Sequence, residues 1–168
     1  MELDKVIKER FSTRMFKTIP VEEEKITKIL EAGRLAPTAK NLQPQKIYVV
    51  KSKEGIEKID KVTPCRYNAP VCLLICSDKN IAWNKDDYSS YEMDACIVAT
   101  HMMLEATNLG VNNIWIRMFD RKNVSEVFNL KENIIPICIM PLGYREEKCQ
   151  TSPMHNKRKE LNETVEYI

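Results

Sequence analysis

Glycine is scarce in this chain, with four among 168 residues, and neither a Gly-x-Gly-x-x-Gly nor a phosphate-loop segment occurs. Both a Rossmann dinucleotide site and a phosphate-loop NTPase are argued against, because each needs glycines where backbone amides approach phosphate. Histidine is scarcer still, with only His101 and His155. The cysteines at positions 65, 72, 76, 96, 138 and 149 form no Cys-x-x-Cys pair, so no metal site is expected. Cys72, Cys76 and Cys138 sit in apolar runs and read as reduced, mostly buried thiols behaving as small hydrophobes. No stretch approaches the length needed to span a bilayer, and Met1-Glu2-Leu3-Asp4-Lys5 has no apolar run behind a basic segment. A soluble cytoplasmic protein with no membrane partner is expected. A net charge of +2 and a charged fraction of 30% give no global pull toward nucleic acid. The Lys157-Arg158-Lys159 run lacks an aromatic-basic platform, so no nucleic-acid partner is expected either.

What is present fits one compact domain over residues 1–168, long enough to bury a sizeable core, with no internal linker. Leu3, Val6 and Ile7 predict a short helix over residues 2–10. Pro20 and the acidic run from Glu22 to Glu24 open a second helix, with Ile26, Ile29, Leu30 and Gly33 on its inner face. Residues 46–50 read as a strand and residues 53–61 as a helix with Ile56 and Ile59 inward. The apolar run over residues 71–76 predicts a central buried strand. Residues 78–90 lack periodicity and read as a surface loop carrying Trp83 and Tyr88. Residues 91–109 form the strongest helix, apolar around most of its circumference, which demands burial on nearly every side. In a small domain that much burial points to a partner subunit. His101 on this helix reads as a hydrogen-bonded core residue rather than a ligand. Residues 113–117 read as a strand, Asp120 as the start of a helix, and residues 134–142 as a last strand with Pro136 near its beginning. The tail from Tyr144 to Ile168 is polar until Val165, Tyr167 and Ile168, whose alternation suits either a terminal strand added to a partner's sheet edge or a disordered end.

Two clusters carry the chemistry. Arg10-Phe11-Ser12-Thr13-Arg14 sets two guanidinium groups and a hydroxyl within five residues. Guanidinium forks match phosphate oxygens and stay charged at every working pH. Ala36-Pro37-Thr38-Ala39-Lys40-Asn41-Leu42-Gln43-Pro44 offers a hydroxyl and two amides between prolines that discourage helix, which suits reading the edge of a heterocycle.

With these motifs the chain resembles the nitroreductase family of FMN-dependent oxidoreductases. The resemblance continues through residues 94–110, Trp115 to Asp120 and Pro141-Leu142-Gly143-Tyr144, and covers nearly the whole chain. It implies an α+β, three-layer fold with a mixed, mainly antiparallel central sheet flanked by helices. It implies an intertwined homodimer in which residues 144–168 form an arm lying on the partner. It further implies that Arg10, Ser12 and Arg14 hold the phosphate and ribityl chain of a tightly bound FMN, completed by Arg158. His155 and Lys157 stay open as alternatives for that last contact. Pro37, Thr38, Asn41 and Gln43 would line the ring from the opposite subunit. Main-chain groups of Ile116 and Arg117 would lie near flavin N5, with Gly143 bordering the cofactor. Arg117 departs from the family's frequent glycine, and its charge beside the ring would raise the flavin potential.

The implied activity passes electrons from NADH or NADPH through FMN to a small nitroaromatic, quinone or similar acceptor by a ping-pong sequence. No catalytic acid or base is assigned, because the cofactor carries the chemistry. The alternatives are an FMN-binding protein for storage, sensing or delivery, and a specialised flavin chemistry such as reductive dehalogenation.

Overall fold

The computed structural model describes residues 2–168, so Met1 of the expected 1–168 domain lies outside the described residues. Five helices and six strands follow one another: α1 (Leu3–Glu9), α2 (Glu23–Arg34), β1 (Gln45–Val50), α3 (Lys53–Val62), β2 (Val71–Asp78), β3 (Asn84–Lys85), β4 (Tyr88–Ser89), α4 (Tyr91–Asn108), β5 (Asn112–Asn113), α5 (Arg121–Val127) and β6 (Ile134–Gly143). Local signals set several of these starts. The Ser52 side chain accepts from the Gly55 amide at the head of α3, and Asp120 accepts from the Asn123 amide at the head of α5.

The main sheet has the order β1-β2-β6-β5 and all its strand pairs are antiparallel. β2 is buried from Val71 to Ser77, as its continuous apolar run requires. Its side chains alternate between two cores. Val71, Leu73 and Ile75 join Ile26 and Ile29 of α2 and Val98 and Met102 of α4, while Cys72, Leu74 and Cys76 join Ile59 of α3 and Val124 of α5. Helix pairs therefore cover both sheet faces, which makes three layers. Burial pushes the Cys72 and Cys76 thiols up to about 12 and the Cys138 thiol up as well, so these sulfurs stay protonated.

The structure departs from the sequence reading in two places, each for a physical reason. The strand expected over residues 113–117 is only two residues long, followed by an isolated bridge from Ile116 to Ile139. Continuing the Asn112–Gly143 register sets Ile114 opposite Pro141, which has no amide to donate, so the ladder breaks there. On the β2 side, the register of β6 shifts next to Pro136, leaving Ile137 bulged and accommodating the other missing donor. The loop over residues 78–90 contains the β3–β4 hairpin, whose turn uses Asp86 at φ +53° and whose Trp83 and Tyr88 rings lie 5.7 Å apart. Such a hairpin is too short to register as periodicity.

α4 buries Ala95, Val98, Ala99, Met102 and Ala106, but Met93 and His101 are exposed and Ile97 and Leu104 half-buried. Within one chain the helix is thus covered on one side and left open on the other. Within the single chain the tail pairs with no strand at residues 165–168; a 3-10 turn at Leu161–Glu163 precedes an exposed end, with Tyr167 93% exposed. Among the described residues no helix is long and apolar enough to cross a membrane.

α2 and α4 meet where Gly33 lacks a side chain. A Cβ there would stand 2.7 Å from Met102 Cγ and 3.3 Å from Val98 Cγ1, both fully buried. Gly33→Val is therefore expected to lower stability by about 1–3 kcal/mol through overpacking, despite the helix propensity it gains. Urea unfolding at fixed protein concentration measures this, and an unchanged midpoint would contradict the close approach.

Candidate functional site

The chain leaves α1 at Arg10 and is pinned at once to the sheet. Ser12 bridges to Asn113, the Thr13 amide donates to the Asn113 carbonyl at 3.1 Å, and Phe16 bridges to Arg145 with its ring buried in the core shared with α3 and α5. Gly143 makes room for that ring: a Cβ there would lie 3.1 Å from Phe16 and 2.9 Å from Pro70. Thr13 is buried between half-buried Ser12 and exposed Arg14, so the polar members of the cluster point outward from a fixed backbone.

The tail returns to the same place. Arg10, Ser12, Arg14 and Arg158 line one hollow of about 190 Å³, together with Ser152 and His155. Three guanidinium groups thus face one small space, and none has a carboxylate within salt-bridge distance among the described residues. Arg14 donates to the Ser12 carbonyl at 3.3 Å and also meets the Tyr67 hydroxyl, and Arg158 donates to the Lys157 carbonyl at 2.7 Å. His155 is held by a hydrogen bond between its Nε2 and the Lys8 carbonyl, 3.2 Å away, and by an edge-on contact with Phe11. Lys157 does not line the hollow. Unpaired guanidinium groups around a hydroxyl fit a phosphate, which would supply the missing counter-charge.

The second motif lies elsewhere in the chain. Pro37, Thr38 and Asn41 do not line the arginine hollow, and Gln43 borders a different one, below β1. Its loop is nevertheless rigidly built. Lys40, Asn41 and Gln43 all take left-handed backbone angles, near φ +50°, around a single 3-10 turn. Thr38 Oγ1 accepts from the Gln43 amide at 3.0 Å, and Gln43 Nε2 donates to the Asn41 carbonyl at 3.2 Å. One buried charge holds this loop to the core. Asp94 of α4, only 2% exposed, accepts from the Ala39 amide at 2.9 Å and from Ser90 Oγ at 2.7 Å.

In the segment after β5, Ile116 exchanges both main-chain hydrogen bonds with Ile139, at 2.9 and 3.0 Å. Its amide is thus taken and is not available to a cofactor. The Arg117 guanidinium is exposed and stacks over Phe119, 5.1 Å from the ring centroid. Gly143 is buried in sheet packing, as above. His101 is exposed and not in the core as expected, although its Nδ1 does lie 2.9 Å from the Ile97 carbonyl one helical turn earlier.

Two participants escaped the sequence reading. Asp94 left a trace, as a carboxylate inside an otherwise apolar helix; such a residue is buried only with partners. Tyr67 left none. It sits at φ +55° beside Asn68 at +66°, its carbonyl accepts from the Phe16 amide, and its hydroxyl reaches Cys65 and Arg14. Hydrogen bonding to Cys65, with burial, raises the Tyr67 phenol above its ordinary range, and Arg14 opposes that shift.

The sequence profile described as the nitroreductase family matches residues 7–65 and 63–144. A solved nitroreductase family protein from Clostridium difficile 630 superimposes with a TM-score of 0.93 at 38% identity, over 99% of this chain and 98% of that one. A relative from Methanothermobacter thermautotrophicus, carrying the provisional name NADH dehydrogenase/NAD(P)H nitroreductase, is 31% identical over 88% of this chain and 79% of its own length. A Bacillus subtilis relative named FMN reductase, with NAD(P)H as donor, is 25% identical over 90% of this chain and 69% of its own. The chain belongs to the nitroreductase family, and its fold is the α+β, largely antiparallel arrangement of that family.

Asp94→Ala removes the acceptor for both the Ala39 amide and the Ser90 hydroxyl, and is expected to cost about 2–4 kcal/mol, since bonds to a buried charge are the strong ones. Hydrogen exchange at the Ala39 amide checks the local claim. Exchange as slow as in the parent protein would contradict it.

Proposed function

We propose that this protein is an FMN-dependent oxidoreductase passing electrons from NADH or NADPH to a small electron-poor acceptor, such as a nitroaromatic or a quinone, by a ping-pong sequence. The observation that carries this reading is the convergence of Arg10, Arg14 and Arg158 on one hollow without carboxylate partners. Family membership and the names of the relatives support it, including FMN reductase and NADPH-dependent oxidoreductase.

Arg10, Arg14 and Arg158 would hold the phosphate of a tightly bound FMN, with Ser12 reaching the phosphate or the ribityl chain. Of the three tail candidates, Arg158 is preferred because it lines the hollow and Lys157 does not. Thr38, Asn41 and Gln43, on a loop bounded by Pro37, would read the ring from the opposite subunit. The separation of the two motifs within one chain favours that division. Arg117 would support negative charge on the reduced ring, and its neighbour Ile116 would fix the segment to β6 through Ile139. Gly143 would shape the floor by admitting Phe16 and Pro70. FMN, when bound, supplies the exchange of an electron pair between donor and acceptor. No side chain of the cluster is assigned as acid or base.

The assembly we infer is a homodimer of two single-domain chains. The outward face of α4, with Met93 exposed and Ile97 and Leu104 half-buried, leaves apolar surface that a second copy would cover. β1 is the outer strand of the main sheet and offers six residues along its unpaired edge, enough to receive a partner's terminal residues 165–168 as an added strand.

Anaerobic titration of the FMN-loaded protein with NADH and with NADPH, followed through flavin absorbance, tests the reading. Bleaching by at least one nucleotide and recovery of colour on adding a quinone are expected. Protein that binds FMN yet stays yellow with both donors would instead be a carrier, or an enzyme with another donor.

A further inference from the structure

A larger hollow, of about 510 Å³, adjoins the arginine cluster and shares Phe11 and His155 with it. Lys8 and Arg145 line it, and neither has a carboxylate within salt-bridge distance among the described residues. Arg145 is built into position rather than trailing in solvent. Its amide donates to Asn112 Oδ1 at 3.0 Å, and its guanidinium stacks over the Phe11 ring, 5.7 Å from the centroid. His155 closes the wall between the two hollows, with its ring edge-on to the same Phe11.

The charge balance is what makes this hollow informative. Across the two adjoining spaces stand five fixed cations, Lys8, Arg10, Arg14, Arg145 and Arg158, against one carboxylate, Glu9. Glu9 is itself shared with Lys5, 3.7 Å away on the outer side of α1. The whole chain carries a net charge of only +2, so the local excess is a concentration and not a reflection of composition. A phosphate monoester in the arginine cluster would bring about −1.5 to −2, roughly half of what that excess calls for. Of that excess, three positive charges stand in the arginine hollow and a net of one, from Lys8 and Arg145 against Glu9, stands in the larger hollow, where the flavin phosphate would not meet it.

We propose that the hollow lined by Lys8, Arg145 and His155 is a second anion site, taking the phosphate-bearing part of a ligand other than the flavin. This rests on the proposed flavin site for its charge balance, though not for its geometry. Two sources share the required chemistry: the pyrophosphate and adenosine end of the pyridine dinucleotide donor, and a separate phosphorylated molecule. A volume of about 510 Å³ accommodates a nucleoside diphosphate.

The test is calorimetric titration of the full chain with ADP, in the apoprotein and in the FMN-loaded form, repeated with inorganic pyrophosphate. ADP is expected to bind the FMN-loaded protein saturably. Combined Lys8→Gln and Arg145→Gln substitution should weaken that binding roughly tenfold or more while FMN affinity changes little, because two charge-assisted contacts are lost from one hollow only. Arg145→Lys, which keeps the charge, should retain most of the binding, and circular dichroism checks that the variants fold. If KM for NADH or NADPH rises in parallel in the double variant, the occupant is the donor. If KM is unchanged while ADP and pyrophosphate binding falls, the occupant is a separate phosphorylated molecule. The proposal is overturned if neither form binds ADP, if the double variant binds as well as the parent, or if FMN displaces ADP competitively. A parent protein that takes up no FMN would end the functional reading instead. The apoprotein titration would then decide this site alone: sensitivity to the double variant supports it and insensitivity overturns it.

Discussion

β2 is buried on both faces, and that single constraint organises everything around it. A strand whose alternate side chains both need cover requires helices above and below, which α2 and α4 provide on one side and α3 and α5 on the other. Its antiparallel neighbour β6 then runs back through the core and delivers the chain at Gly143 to the margin where Phe16 is buried. The segment after α1 and the segment after β6 are locked together there, through the Phe16–Arg145 bridge and the hydrogen bond from the Lys17 amide to the Tyr144 carbonyl. The arginine cluster inherits its position from this junction.

Cationic side chains gathered without carboxylates repel one another, and a protein maintains such a group only on a backbone fixed by other forces. Here the fixing forces are apolar and main-chain: Phe16 in the core shared with α3 and α5, the Thr13 amide on Asn113, and the Tyr67 carbonyl on the Phe16 amide. The loop over residues 37–44 shows a complementary solution. Its three left-handed residues lack apolar anchorage, with Leu42 exposed, and the buried carboxylate of Asp94 holds the Ala39 amide instead. A bound anion would therefore find its donors prearranged rather than recruited.

Much of this was legible in the sequence because the signals were long or chemically distinctive. The run from Val71 to Cys76, the period of α2 and the capping Asp120 each name their own structure. The interruptions were less visible because they depend on partners distant in sequence. Pro141 breaks the pairing of Ile114 only once β5 and β6 are aligned, and Pro136 lies beside a bulge that appears only against β2. The apolar circumference of α4 was legible, but composition does not say which neighbour covers each side, and one chain covers only the side facing the sheet and α2. At the site, Arg10, Ser12 and Arg14 were readable by residue type and Arg158 only through the family resemblance, and the structure brings them into one hollow. Tyr67 was not readable, since it is placed by two left-handed residues in a loop with no pattern of its own.

The central claim is that the guanidinium cluster exists to hold a phosphate. Comparing the affinities of the apoprotein for FMN and for riboflavin, at low and high salt, tests it most directly. Two or more charge-assisted contacts predict FMN binding on the order of 100-fold tighter than riboflavin, with the gap narrowing as salt rises. Equal affinities, or a gap indifferent to ionic strength, would contradict the account.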